Sequence, residues 1–347
     1  MAKSGDGWHR PSQSIKAFIE AAQGSGPGAG RGAAGDHRKA MATQPERPRR
    51  PRELQDGLNH YLYHPLAWRL ASALAHTPVT PNMVSVLGAL FVVAAGLVYW
   101  LGSGWGLIWP WGPLIGMALH MTWHVVDGAD GDLARLTGRS SPLGELVDGI
   151  CDYASHVVLY VMLVAVAAPQ VGWFWAWFWA LVAGASHVAQ ANFVEVQRRF
   201  YQYWTYGVPW LNNATQNDAA LFRDQRGVSW ILRGFVLGYL RLASGMSPHA
   251  MTIDTAVTAA IAADRAGQGA PLARIRAEVQ REQRPLLATL KVLGPNPRAL
   301  VLGAAMLLGS PLWYFVYQSI ALNAYLVLAV RREDAAALRV VQKLDLK

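Results

Sequence analysis

DGADGDLARLTGRSSPLGELVDGICD, residues 127–152, is the stretch on which the reading of this chain turns. Its acids Asp127 and Asp130 are spaced i, i+3, and Asp148 and Asp152 are spaced i, i+4, so on helices each pair shares one face. Each pair abuts a long apolar segment. Carboxylates at the ends of membrane helices are costly and mark functional positions. Brought together, they need a cation.

Outward from this stretch the apolar residues gather into runs of about 20, long enough to span a bilayer. In order, these are 83–101, 107–126 (which delivers the chain to Asp127), 143–167 and 173–193, the last Trp-rich at its outer end as in an aromatic belt. A last apolar hairpin at 298–330 breaks near Gly309-Ser310-Pro311, and its short first arm is expected to begin nearer Leu286. Ahead of them, in 54–75, Leu58, Tyr61, Leu62, Leu66, Leu70 and Leu74 recur near helical spacing beside Trp and Arg, as in an amphipathic helix lying in the interface. The expected fold is therefore all-α: a polytopic membrane helical bundle of about six transmembrane helices with an N-terminal interfacial amphipathic helix.

Of the 347 residues, 52% are apolar and 15% charged, and the formal charge is +9, which suits a surface facing anionic lipid. Nucleic acid is not an expected partner, because no recognition motif accompanies the charge. Residues 1–53 read as a disordered basic tail with a short helix at 14–22. The tail has no continuous apolar region suited to a secretory signal, and its RPRRPR run at 47–52 places that end in the cytoplasm. Residues 54–194 hold the interfacial helix and spans one to four, and 195–297 form a cytoplasmic or interfacial insert. Within the insert, 230–242 is expected at the interface and 257–266 and 272–283 as short soluble helices. Residues 298–332 hold spans five and six, and 333–347 form a cytoplasmic tail. This places a multi-pass protein in the membrane (the inner membrane, if the cell is bacterial), with the Asp stretch on the cytoplasmic face. Cys151, the only cysteine, excludes an intrachain disulfide and reads as a small helix-packing residue.

The loop 131–147 lets the two helix ends return to each other and form a nest of four carboxylates. All-oxygen ligands favour Mg²⁺, Mn²⁺ or Ca²⁺. Four negative charges accommodate two such ions, the usual clamp for displacement at phosphorus. Gly131 and Gly144 leave room for close approach, and Arg135 offers a forked donor to phosphate oxygens. One carboxylate would remain to take a proton from an attacking hydroxyl. An EF-hand is set aside, since Ala129 stands where its third loop position needs an oxygen ligand. His120, His124, His156 and His187 lie in apolar spans and read as helix-packing residues rather than a metal or proton site.

The pattern Asp127-x2-Asp130-Gly131-x2-Ala134-Arg135-x8-Gly144-x3-Asp148-x3-Asp152 resembles, at every fixed position, the signature of the CDP-alcohol phosphatidyltransferases. Thr80-Pro81-Asn82, with Ser85 and Gly88, looks like that family's lead-in to its first span. The resemblance covers roughly 54–194 and 298–332. It implies that a CDP-alcohol, preferably CDP-diacylglycerol, gives a substituted phosphoryl group to an acceptor hydroxyl on a small alcohol or a lipid, releasing CMP. It further implies that Asp127, Asp130 and Asp148 hold two Mg²⁺ or Mn²⁺ ions, with Asp152 as bridging ligand and general base; Asp148 and Asp152 are thus the catalytic pair. Thr80, Pro81, Asn82, Met83, Gly131, Ala134, Arg135, Ser141 and Gly144 are the expected contacts of the CDP moiety. Asn82 also suits a helix cap. Asn192, Arg198, Arg199 and Arg298 are acceptor-side candidates, or else positive-inside anchors on lipid headgroups. Because members of that family often dimerise, a homodimer is among the expected partners, beside membrane lipids.

Two other readings compete. An intramembrane prenyltransferase also uses acid clusters and Mg²⁺ on a diphosphate, but on two separated helix pairs. A divalent-cation transporter would need polar positions continuing across the bilayer, and the outer halves of these spans are almost wholly apolar.

Overall fold

A computed structural model describes residues 51–104, 109–208, 245–265 and 270–346. The short helix expected at 14–22, nearly all of the basic tail and the 230–242 segment lie outside the described residues. A 3-10 turn (Arg52–Leu54) and a π-helical turn (Asn59–Tyr63) lead into α1 (His64–Leu74). The long helices α2 (Pro81–Gly104), α3 (Trp111–Leu136), α4 (Pro142–Val171) and α5 (Trp173–Tyr206) follow. Then come α6 (Pro248–Arg265), α7 (Ala270–Gln283), α8 (Leu287–Val292), α9 (Pro295–Leu307) and α10 (Leu312–Val316). A π-helical stretch (Tyr317–Ala321) joins α10 to α11 (Leu322–Leu344). No strand occurs among the described residues.

Among the described residues, three stretches are long and apolar enough to cross a membrane: Pro81–Gly102, Val147–Val171 and Leu312–Leu344. The other expected spans are helical but differ for identifiable reasons. The apolar parts of α3 and α5 are diluted by Trp and by polar residues, His120 and His124 in α3 and His187, Gln190 and Asn192 in α5, which lowers their hydropathy. At 13 residues, α9 is about 20 Å long, short of a hydrocarbon core of about 30 Å. It does not extend back to Leu286 as expected. Leu293 ends α8, and Gly294, in an extended conformation, resets the chain before Pro295.

The amphipathic helix is present, with a division of labour the Leu pattern did not show. Tyr63, Ala67 and Ala71 are buried, while Tyr61, Leu62 and Leu66 point outward. Alanines allow α1 close to α3, where Ala67 meets a core of Val126, Ala129 and Leu133 with Leu70 and Leu74 packed at its edge, and Tyr61, Leu62 and Leu66 are left for the interface.

The bundle is built around α2, which packs along both α3 and α4. Small residues permit this, as expected where no hydrophobic effect drives helices together. A Cβ at Gly116 would lie 2.5 Å from the ring of Tyr99, which is itself buried. Gly116→Val should therefore cost roughly 1–3 kcal/mol through overpacking. A clearly lowered unfolding midpoint in detergent is the expected measurement, and an unchanged one would show that the α2–α3 seam yields.

Beyond the bundle, α6, α7 and the C-terminal half of α11 share a separate core with the end of α5, including Trp204, Ile253, Val257, Ile275, Val279 and Val340. The two insert helices are longer than expected, and the tail expected from 333 is helical to Leu344. Ion pairs from Arg339 to Glu282 and from Lys343 to Glu278 and Glu282 tie it to α7.

Candidate active site

Two local features return the chain to the end of α3. Gly138, at φ 66°, turns it, and the Ser141 hydroxyl accepts the Gly144 N–H at 3.0 Å, capping α4. Asp148 and Asp152 then sit on the first turns of α4, facing Asp127 and Asp130 on the last turns of α3. The side chains meet in cross-helix pairs, Asp127 with Asp152 and Asp130 with Asp148. Carboxylate oxygens of Asp127, Asp148 and Asp152 all lie within 4.8 Å of one another. Asp130 stands beside that trio, its Oδ2 accepting from Ser85 Oγ at 2.5 Å. Trp123 Nε1 donates to Asp152 Oδ1 at 3.1 Å, orienting the carboxylate.

Like charges so close repel unless a cation or a proton joins them. An all-carboxylate donor set on two rigid helices fits a hard divalent ion such as Mg²⁺ or Mn²⁺.

The cluster lies between two cavities of opposite character. The smaller, about 130 Å³, is lined by Asp130 and Asp148 together with Pro81, Asn82, Gly131, Ala134, Arg135, Ser141 and Gly144. These are most of the positions expected at a CDP moiety. Thr80 and Met83 do not line it: Thr80 Oγ1 accepts the Met83 N–H at 3.4 Å at the start of α2, and the Met83 side chain is exposed. The capping side chain on α2 is thus that of Thr80, not Asn82. Arg135 reaches its position across Gly131, pairing with Asp132.

The larger cavity, about 600 Å³, runs between α4, α5 and α9 and touches the cluster at Asp152. Of the acceptor-side candidates, Arg298 lines it, fully buried, with Nη2 donating to Gln190 Oε1 at 3.2 Å and Nη1 lying 3.4 Å from His187 Nε2. Arg298 Nε has no partner. Asn192 is buried nearby on α5 but lines neither cavity. Arg198 and Arg199 line neither and instead pair with Glu195 at 2.7 and 2.6 Å. The structure thus separates Arg298 from the other two arginines.

His120 and His124 are buried in a ring stack with Trp123 and Tyr63, in keeping with a packing role. Ser85 and Trp123 were not singled out as orienting residues. Trp123 lies four residues before Asp127, and Ser85 four after Pro81, so helical spacing held the signal. Their partners lay across the bundle. Arg139 and Ser140, also on the wall of the polar cavity, carry no comparable signal.

Comparison with known proteins returns one family, CDP-alcohol phosphatidyltransferase, matching residues 78–209. Ethanolaminephosphotransferase 1 of Pongo abelii is 30% identical over 117 residues, 31% of this chain and 29% of that protein. An uncharacterised CDP-alcohol phosphatidyltransferase class-I family protein of Schizosaccharomyces pombe is 30% identical over 105 residues, 26% of this chain and 24% of that one. The chain therefore spans less than a third of the length of either relative.

Proposed function

Residues 78–209 match the CDP-alcohol phosphatidyltransferase family, and from that match we propose that the chain transfers a substituted phosphoryl group from a CDP-alcohol to an acceptor hydroxyl, with release of CMP. The observation that carries this is the convergence of Asp127, Asp148 and Asp152 where a polar cavity and an apolar one meet. Phosphoryl transfer needs little from a protein besides positioning and charge stabilisation, with attacking and leaving oxygens in line. A carboxylate cluster reached from two sides supplies both.

Asp127, Asp130 and Asp148 would hold two Mg²⁺ or Mn²⁺ ions, with Asp152 as shared ligand. Such ions, when bound, neutralise charge on the diphosphate oxygens. Arg135, Gly131, Ser141, Gly144 and Asn82 cradle the cytidine diphosphate, and Ser85 holds Asp130 in place. Asp152, oriented by Trp123, takes the proton of the acceptor hydroxyl. The acceptor oxygen bonds to the phosphorus carrying the alcohol, the bridging oxygen–phosphorus bond breaks, and CMP leaves with the electron pair. The site opens to the cytoplasm, in line with the basic residues expected on that side. CDP-diacylglycerol is the first donor to test. CDP-ethanolamine joins it because one relative is named an ethanolaminephosphotransferase.

The test is CMP release by purified protein in Mn²⁺ with each donor and a panel of acceptors, repeated in excess chelator. Metal-dependent CMP and a new phosphodiester lipid are expected. If no donor yields CMP and CDP fails to bind, the reading falls. Arg135→Lys should raise the donor KM roughly 10-fold, as expected for a lost forked charge-assisted bond, with a smaller effect on kcat. An unchanged donor KM would remove Arg135 from the diphosphate.

A further inference from the structure

We propose that Asp56 is a positioning residue for the transfer step: from the N-terminal turn it holds the start of α9 and the Tyr63–His124–Trp123 stack, and through them the side of the site where Asp152 stands. This rests on the transferase reading above. Asp56 and its distant partner Asn296 both lie outside residues 78–209, the segment that matches the family.

The first argument is that one carboxylate serves two helix starts. Asp56 Oδ1 accepts the Asn59 N–H at 2.9 Å, the bond an N-cap makes to the residue three positions on, and so fixes the beginning of the helical run that continues into α1. Its Oδ2 accepts from Asn59 Nδ2 at 2.8 Å and, from 240 residues along the chain, from Asn296 Nδ2 at 2.8 Å. Asn296 is 2% exposed and is the second residue of α9, whose N-cap, Gly294, has no side chain to offer. A carboxylate at that end also meets the positive pole of the helix dipole. A cap serving α1 alone would need no partner on α9.

The second argument is that both helix starts lead to Asp152. Tyr63 lies one turn after Asn59 and stacks on His124 with ring centres 5.1 Å apart. His124 in turn lies against Trp123 at 4.4 Å, and Trp123 donates to Asp152. Tyr63 is buried, and burial and then the Asp56 charge push its phenol up to about 12, so it stays protonated within reach of that carboxylate's field. On the other branch, Pro295 and Arg298 of α9 flank Asn296 and line the cavity that touches Asp152. None of Asp56, Asn59, Tyr63 and Asn296 lines the polar cavity. The influence of Asp56 therefore falls on the proton-accepting side and not on the nucleotide side.

The third argument is that Asp56 is itself held. Three residues earlier, Glu53 accepts from Tyr206 Oη at 2.5 Å and from Tyr201 Oη at 3.4 Å, both at the end of α5, and Leu54 packs against the core there. The turn that carries Asp56 is thus anchored independently of the two helix starts it joins. Support of this kind matters because a displacement of about 1 Å, arising far from the chemistry, can cost about 10²-fold in rate.

The experiment uses full-length protein in mixed micelles with Mn²⁺ and whichever donor releases CMP, and reads kcat, the Kd for CDP and the unfolding midpoint. Asp56→Ala should lower kcat by about 10-fold through misplacement of Asp152, with the CDP Kd unchanged. Asp56→Asn, which keeps one acceptor oxygen in place of two, should restore part of the rate. Asn296→Ala removes only the α9 branch and leaves the cap on Asn59, so it carries the test even where Asp56→Ala fails to fold; kcat should fall by a smaller factor, again with CDP binding intact. In the double variant, Asn296→Ala should add nothing to Asp56→Ala, because groups that act through one shared bond are non-additive. An unchanged kcat in the single variants, kcat and CDP binding falling together, or additive losses in the double variant would each overturn the inference, while CMP release by the parent protein upheld the transferase reading. A parent protein that neither binds CDP nor releases CMP would overturn both.

Discussion

Asp152→Asn should all but abolish CMP release, by about 10³-fold or more if the carboxylate is the general base, a role that contributes about 10²–10⁴, together with a share of metal binding. The substitution is nearly isosteric. An amide oxygen can still accept from Trp123 Nε1, which holds the native carboxylate at 3.1 Å, and the backbone carbonyl of residue 152 still receives Ser155 and His156. Fold and extraction from membranes should therefore be unchanged, and the measurement is turnover at saturating donor and metal beside an unfolding profile. Near-normal turnover would remove Asp152 as the base. A collapsed unfolding midpoint would instead show the residue to be structural.

The second large effect is on metal dependence. Replacing Asp127 or Asp148 by Asn removes one of three carboxylates whose oxygens lie within 4.8 Å of one another. Each such loss should shift the Mn²⁺ activation curve to higher concentration by at least about 10- to 100-fold, the scale seen for disturbing a metal shell. Loss of one negative charge also relieves repulsion, so both variants should be at least as stable as the parent without metal. Ser85→Ala should move the same curve less, since it only loosens Asp130. An Asp127→Asn or Asp148→Asn curve superimposed on that of the parent protein would exclude that residue from the metal site.

The positions along one wall were legible along the chain. Pro81, Asn82, Gly131, Ala134, Arg135, Ser141 and Gly144 were expected around a CDP moiety, and all seven line one polar cavity. The resemblance to the family signature assigned them, with Thr80 and Met83, which do not line it; a proline start, a serine cap and glycines marked only the helix ends nearby. The acceptor side was far less legible. Arg198, Arg199 and Arg298 looked alike in sequence, yet two pair with Glu195 one turn away and the third is buried against Gln190 and His187. Helical periodicity assigned Leu62 and Leu66 correctly to an apolar face, but not which face meets the protein. Alanines took that place, because close helix approach requires small side chains.

Local chemistry along the chain was sufficient for the all-helical class, the pairing of acids at i, i+3 and i, i+4, and the match to one family signature, since hydropathy and spacing act over a few helical turns. Packing alone decided the rest. By lying along both α3 and α4, α2 brings Asp127 to Asp152 and hands Ser85 to Asp130. The same arrangement leaves one polar and one apolar cavity on either side of the carboxylates. Those relations join residues tens of positions apart, and no local preference encodes them. They follow from which helices can approach closely enough to touch.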